Sequence, residues 1–235
     1  MRTQLLALTR VGASGALFLS TALPASEFGD SWPAGVRAAC LMSPIRLLLR
    51  HDEAVRLEPP ASISDGVIVL RRSEEHDVPL IAVASHDPET RRWLDDEPLT
   101  AERQRDLVFR AQERWRSGRA APFVIADATT DVALGLVNVQ FDDEEVAGIA
   151  VSVFPEARGR GVAPRALRLA GKWAMLELGL QRVYAEAAAE NVASIRAIEK
   201  AGFQREGLLR AHCKTHGLRH DCVMFSMVPS DLADG

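Results

Sequence analysis

Regular spacing of apolar and polar positions begins only near residue 65 of this chain. From Met1 to Ser64 no period of 2 or 3.6 is sustained, and Ala, Gly, Ser and Pro punctuate the run as far as Pro59-Pro60. Residues 66–71 then read as a strand, and residues 74–85 as a helix that stops before His86-Asp87-Pro88. A second helix is expected over 100–116, with Thr100 as N-cap candidate and Ser117-Gly118 as its end. Three β-rich segments follow, 122–128, 133–141 and 146–154, separated by the polar turns 129–131 and 142–145. They predict an antiparallel meander.

Pro155 ends the meander, and a glycine-bearing loop leads into a helix over 164–178, with Pro164 suited to its first turn. Ala166, Leu167, Ala170, Trp173 and Ala174 fall on one face of that helix, while Arg165, Arg168 and Lys172 lie elsewhere on the cylinder. Residues 181–187 alternate Val183, Ala185 and Ala187 against Arg182, Tyr184 and Glu186, which predicts a strand. Asn191 then caps a helix that Gly202 ends. Residues 203–213 and 219–228, joined through His216-Gly217, predict a closing hairpin. The order β-α-α-β-β-β-α-β-α-β-β is that of an α/β (α+β) domain with about seven strands and about four helices.

Length permits one well-buried domain with an appendage. The expected organisation is an N-terminal extension, poorly ordered, over 1–65, a catalytic domain over 66–228 and a short tail over 229–235. A net charge of -4 with 26% charged residues describes a mixed surface with no basic field, which disfavours nucleic acid or membrane as the main partner. Cys40, Cys213 and Cys222 are too few and too scattered for a disulfide framework, so a reducing, cytoplasmic compartment is expected. The uncharged run Val11–Leu23 has the outline of a secretory signal, but Arg10 and Leu23 fit that reading poorly. An extension from an upstream start codon, with Met42 as the natural initiator, is the plainer reading.

Arg158-Gly159-Arg160-Gly161-Val162-Ala163 is the segment with the clearest chemistry. A glycine turn between strand and helix lets backbone N–H groups converge on an anion, and the positive end of the helix adds attraction. Diphosphate is the expected guest; a solvated arginine-rich turn is the bland alternative. A dinucleotide fold is disfavoured, because it wants a parallel sheet and an acidic residue about twenty positions beyond its glycines.

Four blocks resemble the GNAT (Gcn5-related) N-acetyltransferase superfamily, and within it the Rim-type ribosomal-protein N-terminal acetyltransferases. They are residues 154–163, Asn191 to Ser194, residues 199–203, and Glu206-Gly207 with Gly217 and Asp221. The resemblance covers about residues 66–228 and implies a mixed, mainly antiparallel central sheet flanked by helices. It implies acetyl-CoA as co-substrate, no metal, and acetyl transfer to a primary amine by direct attack in a ternary complex. The implied cofactor-binding residues are Arg158, Gly159, Arg160, Gly161, Val162 and Ala163 for the pyrophosphate, and Ile149, Val151 and Val153 for the pantetheine arm and the thioester. Asn191 would hold the pantetheine and Ser194 the sulfur, although both also suit a helix start. Arg165, Arg168 and Lys172 are candidates for the ribose phosphate, against a solvated helix face.

Many members of the superfamily use a tyrosine acid where this chain has Ile198, and the single tyrosine, Tyr184, lies on a strand. Catalysis therefore falls to Ser194 and main-chain amides, with Glu206, His212 and the group Asp95-Asp96-Glu97 as candidate bases, each of which also reads as structural or solvated. His212, Cys213, His216, His220, Asp221 and Cys222 do not make a metal site on an expected hairpin, where alternate residues face opposite sides. Partners implied are acetyl-CoA and an amine, a protein N-terminus or a small molecule, acting on a monomer or homodimer. A non-catalytic acyl-CoA sensor is the alternative function. The acceptor walls should be the helices between 74 and 116, with Trp93 a candidate, and the final hairpin.

Overall fold

The computed structural model describes residues 60–94 and 97–232. The Val11–Leu23 run, Cys40, Met42, Asp95 and Asp96 lie outside them. One sheet of eight strands runs in the order β1-β2-β3-β4-β5-β6-β8-β7. Its strands are β1 (Ile63–Ser64), β2 (Ile68–Arg71), β3 (Ala120–Asp127), β4 (Ala133–Phe141), β5 (Val146–Val153), β6 (Arg182–Ala188), β7 (Gln204–Thr215) and β8 (Leu218–Met227). The expected meander is β3-β4-β5, and every pairing is antiparallel except that of β5 with β6. That exception follows from the crossover helix α5 (Val162–Leu176), since a parallel pair cannot be joined by a tight turn.

Both faces of the sheet centre are covered, which is why β3 is apolar almost throughout. The larger core lies between the sheet and α5, where Trp115, Phe123 and Trp173 meet edge to face with centroids 5.0 to 5.8 Å apart. The smaller core seats Ile81 and Ala84 of helix α1 (Val78–Ser85) against Val124, Ala126, Ala133 and Phe154. Entry to α1 is fixed by the buried Asp77, which accepts from Arg71 Nη1 at 2.8 Å, Arg71 Nη2 at 2.9 Å and the Glu74 amide at 2.8 Å. Burial by itself would raise this carboxyl's pKa, and those three donors outweigh it and hold it below the ordinary value.

Three local expectations change. Asp87-Pro88, read as a stop, instead starts a further helix, α2 (Pro88–Trp93): the Asp87 carboxylate accepts from the Thr90 amide at 2.8 Å, and Pro88 sits at the first helical position. The helix expected over 100–116 is two, α3 (Ala101–Arg105) and α4 (Leu107–Arg116), divided at Asp106 (φ -98, ψ -1); Thr100 caps the first as expected. Cys213 and Cys222 are joined as a cross-strand disulfide, with Cα atoms 5.9 Å apart, so two of the three cysteines are paired after all. They meet because β7 bulges between Leu209 and Cys213, a shift that an even alternation of faces does not foresee. Asp221 stabilises the bulge by accepting from the amide of Ala211, whose φ is +49.

Candidate active site

β5 and β6 are paired only from Val146 to Gly148 and from Arg182 to Tyr184, and they diverge beyond. Gly148 permits the last close approach, because a Cβ there would lie 3.0 Å from the Tyr184 ring. Past this point β5 keeps β4 on one edge and has no strand on the other. The Phe154 amide donates to Leu134 O on the β4 side, so alternation turns the main-chain groups of Val151 and Val153 to the open edge. Ile149 stands at the divergence with its side chain buried in the core.

The opening continues into a cleft of about 410 Å³. Its floor and end are Val151, Val153, Arg158, Gly159, Gly161, Val162 and Ala163; one side is Asn191, Ser194, Arg196 and Lys200 of the segment opening and forming α6 (Val192–Lys200). Gly159 and Gly161 have φ of +74 and +76, and a Cβ at either would meet nothing within 4 Å. Glycine is therefore required here by backbone conformation rather than by space. The Asn191 side chain accepts from the Ser194 amide at 3.0 Å, and among the described residues no protein group engages the Ser194 hydroxyl. A turn of this conformation, at the start of a 15-residue helix beside an unpaired strand edge, fits a diphosphate joined to an extended amide-bearing arm.

Of the predicted cofactor-binding residues, nine line this cleft: Val151, Val153, Arg158, Gly159, Gly161, Val162, Ala163, Asn191 and Ser194. Ile149 and Arg160 do not; Arg160 is exposed on the turn. Glu206 is elsewhere, held by Arg182 at 2.6 and 2.7 Å and accepting from Ser226 Oγ at 2.6 Å, beside the closed end of the β5–β6 opening. Arg182 first and Ser226 second lower its pKa to about 2, which suits an anion and not a proton acceptor near neutrality. His212 points its Nε2 to Glu186 Oε1 at 3.3 Å, and Cys213 Sγ lies 3.8 Å from Glu186 Oε2.

Two features near the cleft were not singled out in the sequence. The first is α2, whose Glu89, Thr90 and Trp93 form the second side of the cleft; Arg158 fastens it by ion pairing with Asp87 and donating to Thr90 Oγ1 at 2.8 Å and to Val153 O at 3.3 Å. That arginine first, and the Thr90 amide second, bring the Asp87 pKa to about 2. The second is Glu186, which shares with Tyr184 the face of β6 opposite the α5 core. The alternation of β6 carried that signal, since Glu186 falls on the face away from Val183, Ala185 and Ala187. Asn138 on β4, paired with Ala150, carries a buried Oδ1 with no partner among the described residues. Glu186, Cys213 and Cys222 converge within 4.8 Å, but the two sulfurs are bonded to each other.

A mixed sheet opened between two parallel strands, with a glycine turn and a helix start across the gap, is the architecture of a group-transfer fold. The profile of the Acetyltransferase (GNAT) domain matches residues 68–204, and the chain belongs to this family of N-acetyltransferases. It is 29% identical over 169 residues to the N-acetyltransferase p20 of Bacillus licheniformis, covering 71% of this chain and 95% of that one. It is 30% identical over 139 residues to a probable N-acetyltransferase, YjcK, of Bacillus subtilis, covering 58% and 77%. Among solved structures, Mycobacterium smegmatis RimJ in complex with CoA-disulfide superposes with TM-score 0.63 at 20% identity, over 72% of this chain and 86% of that one. Vibrio cholerae spermidine N-acetyltransferase in complex with CoA and spermine superposes with TM-score 0.62 at 21% identity, over 72% and 99%. Among the described residues no helix is long and apolar enough to cross a membrane.

Proposed function

We propose that this protein transfers an acetyl group from acetyl-CoA to a primary amine, a protein N-terminus or a small molecule, by direct attack in a ternary complex in the cytoplasm. The observation that carries the reading is the one cleft that joins the Gly159–Gly161 turn, the open edge of β5 and Ser194. RimJ and the spermidine enzyme, which share the fold, are in complex with CoA-disulfide and with CoA and spermine. The donor's pyrophosphate fits the amides of the turn, and its pantetheine fits the main chain of Val151 and Val153 with Asn191 opposite.

When bound, acetyl-CoA supplies a thioester to the gap between β5 and α6. In this mechanism main-chain N–H groups of β5 stabilise negative charge on the acyl oxygen, and the Ser194 hydroxyl donates to the departing sulfur; the open edge of β5 and the place of Ser194 in the cleft lining support this. The amine approaches on the other face of the sheet, where Asn138, Ala150 and Glu186 lie. There Glu186 pairs with the ammonium and takes its proton, with His212 as its neighbour. Glu206 has no part in this.

Steady-state kinetics with calorimetry test the assignment of Ser194. Ser194→Ala should lower kcat about tenfold to a hundredfold, the worth of a hydrogen bond to a charged group, while acetyl-CoA affinity stays within about threefold. Unchanged kcat would remove Ser194 from the mechanism.

A further inference from the structure

The donor carries two anionic groups, and the glycine turn accounts for one. Seven cations lie on α5, on α6 and in the turn; three are held by protein partners, and Arg160 and Lys172 stand outside the cleft lining. Arg158 is held by Asp87 and Thr90. Arg165 donates to Asp65 at 2.7 Å, across to the loop between β1 and β2. Arg168 donates to Ala201 O at 3.2 Å and Lys200 O at 3.3 Å, closing the last turn of α6. Arg160 is outside the cleft lining, and its charge acts on Asp127. The two that remain, Arg196 and Lys200, both line the cleft, and among the described residues neither side chain has an acidic or hydrogen-bonding partner.

Their placement is regular. Ala193, Arg196, Ala197 and Lys200 all line the cleft, and their spacing of three, one and three residues puts them on one face of α6. The two alanines leave room, and the two cations border it one turn apart. From Ser194 to Lys200 the helix rises about 9 Å, leading away from the expected sulfur position along the side of the cleft. Glu89, the acid lining the opposite wall, is occupied by the indole N–H of Trp93 at 2.8 Å.

We propose that Arg196 and Lys200 are the seat of the 3′-phosphate of the donor's adenosine, and that they make the protein discriminate acetyl-CoA from its 3′-dephospho form. This rests on the acyl-CoA reading of the cleft. It also replaces the sequence expectation for the ribose phosphate, because Arg165 and Arg168 are spent on protein partners and Lys172 stands outside the cleft lining. A phosphate monoester has the charge and acceptor oxygens to engage a guanidinium and an ammonium together.

The test is calorimetric titration of the full chain with acetyl-CoA and with 3′-dephospho-acetyl-CoA at low and at physiological salt. Wild type should bind acetyl-CoA about tenfold to a hundredfold more tightly, with the preference shrinking as salt rises. Arg196→Gln combined with Lys200→Gln, both exposed positions that keep good helix formers, should bring the two donors within about threefold and leave dephospho affinity unchanged. Lys172→Gln should keep the preference. Equal binding of both donors by wild type, or a preference surviving the double substitution, overturns the assignment and leaves the acyl-CoA reading standing. Failure of wild type to bind either donor overturns that reading itself.

Discussion

Two glutamates on strands that flank β8 have different surroundings. Glu206 is bound in a fork by Arg182 and receives the Ser226 hydroxyl, while Glu186 lies beyond the point where β5 and β6 part, beside His212. Replacement by glutamine separates them: Glu206→Gln should leave turnover within about twofold, whereas Glu186→Gln should lower kcat/KM about a hundredfold, in the range of a positioned base. The reverse pattern would return the base to Glu206. Acid stability gives a second reading. Because the folded pKa of Glu206 is depressed, its stabilising contribution is present above the unfolded value of about 4.3 and is lost as pH falls toward about 2. Thermal melts of Glu206→Gln should therefore fall less steeply across that window than those of wild type. The resemblance pointed to Ser194 and the turn residues, which line one cleft, but not to Glu186, because a lone exposed acid on a strand looks the same whether or not the strand beside it diverges.

At the scale of the elements, the glycine turn is a matter of backbone conformation. Gly161 precedes α5 at φ +76 with open space around its Cβ position, whereas Gly207 also has open space but no positive φ. Gly161→Ala should cost about 1–2 kcal/mol in stability and weaken acetyl-CoA binding, while Gly207→Ala should stay within about 0.5 kcal/mol. Denaturant melts with calorimetry check the pair, and equal effects would show that the turn conformation is not what selects glycine. The meander, α5, the Asn191 cap and the closing hairpin were legible because each has a strong period or an unambiguous turn. The His216-Gly217 connection takes the two positive φ values, +51 and +78, that such a tight hairpin turn requires. α2 was not legible, because Asp-Pro signals a helix stop and a helix start with the same residues. Nor was the disulfide, which depends on the bulge before Cys213. In a cytoplasmic setting that bond would stand reduced, with two thiols beside Glu186.

Across the whole molecule, these elements assemble two approaches to one gap in the sheet. In the proposed reaction the donor side is β5, the turn and α6, to which Arg158 fastens α2. The proposed acceptor side is the opposite face of β4, β5 and β6. The β7–β8 hairpin leans over from the far edge, and its tip reaches α2 where His216 Nε2 meets Arg91 O at 2.7 Å. On the proposed reading, walls contributed by α2 and the hairpin differ from the glycine turn in kind: the turn would serve a constant donor, whereas the walls would fit whichever amine is used. The sequence accordingly carries motifs for a donor and none for an acceptor.

The most direct measurement is mass spectrometry of a panel of N-terminal peptides and small primary amines after incubation with acetyl-CoA and the protein. A mass gain of one acetyl group is expected on at least one amine, dependent on enzyme and absent with Gly161→Glu, whose side chain and charge would occupy the glycine turn. Tight acetyl-CoA binding with no acetylated product across the panel would contradict acetyl transfer and favour a sensor of acyl-CoA.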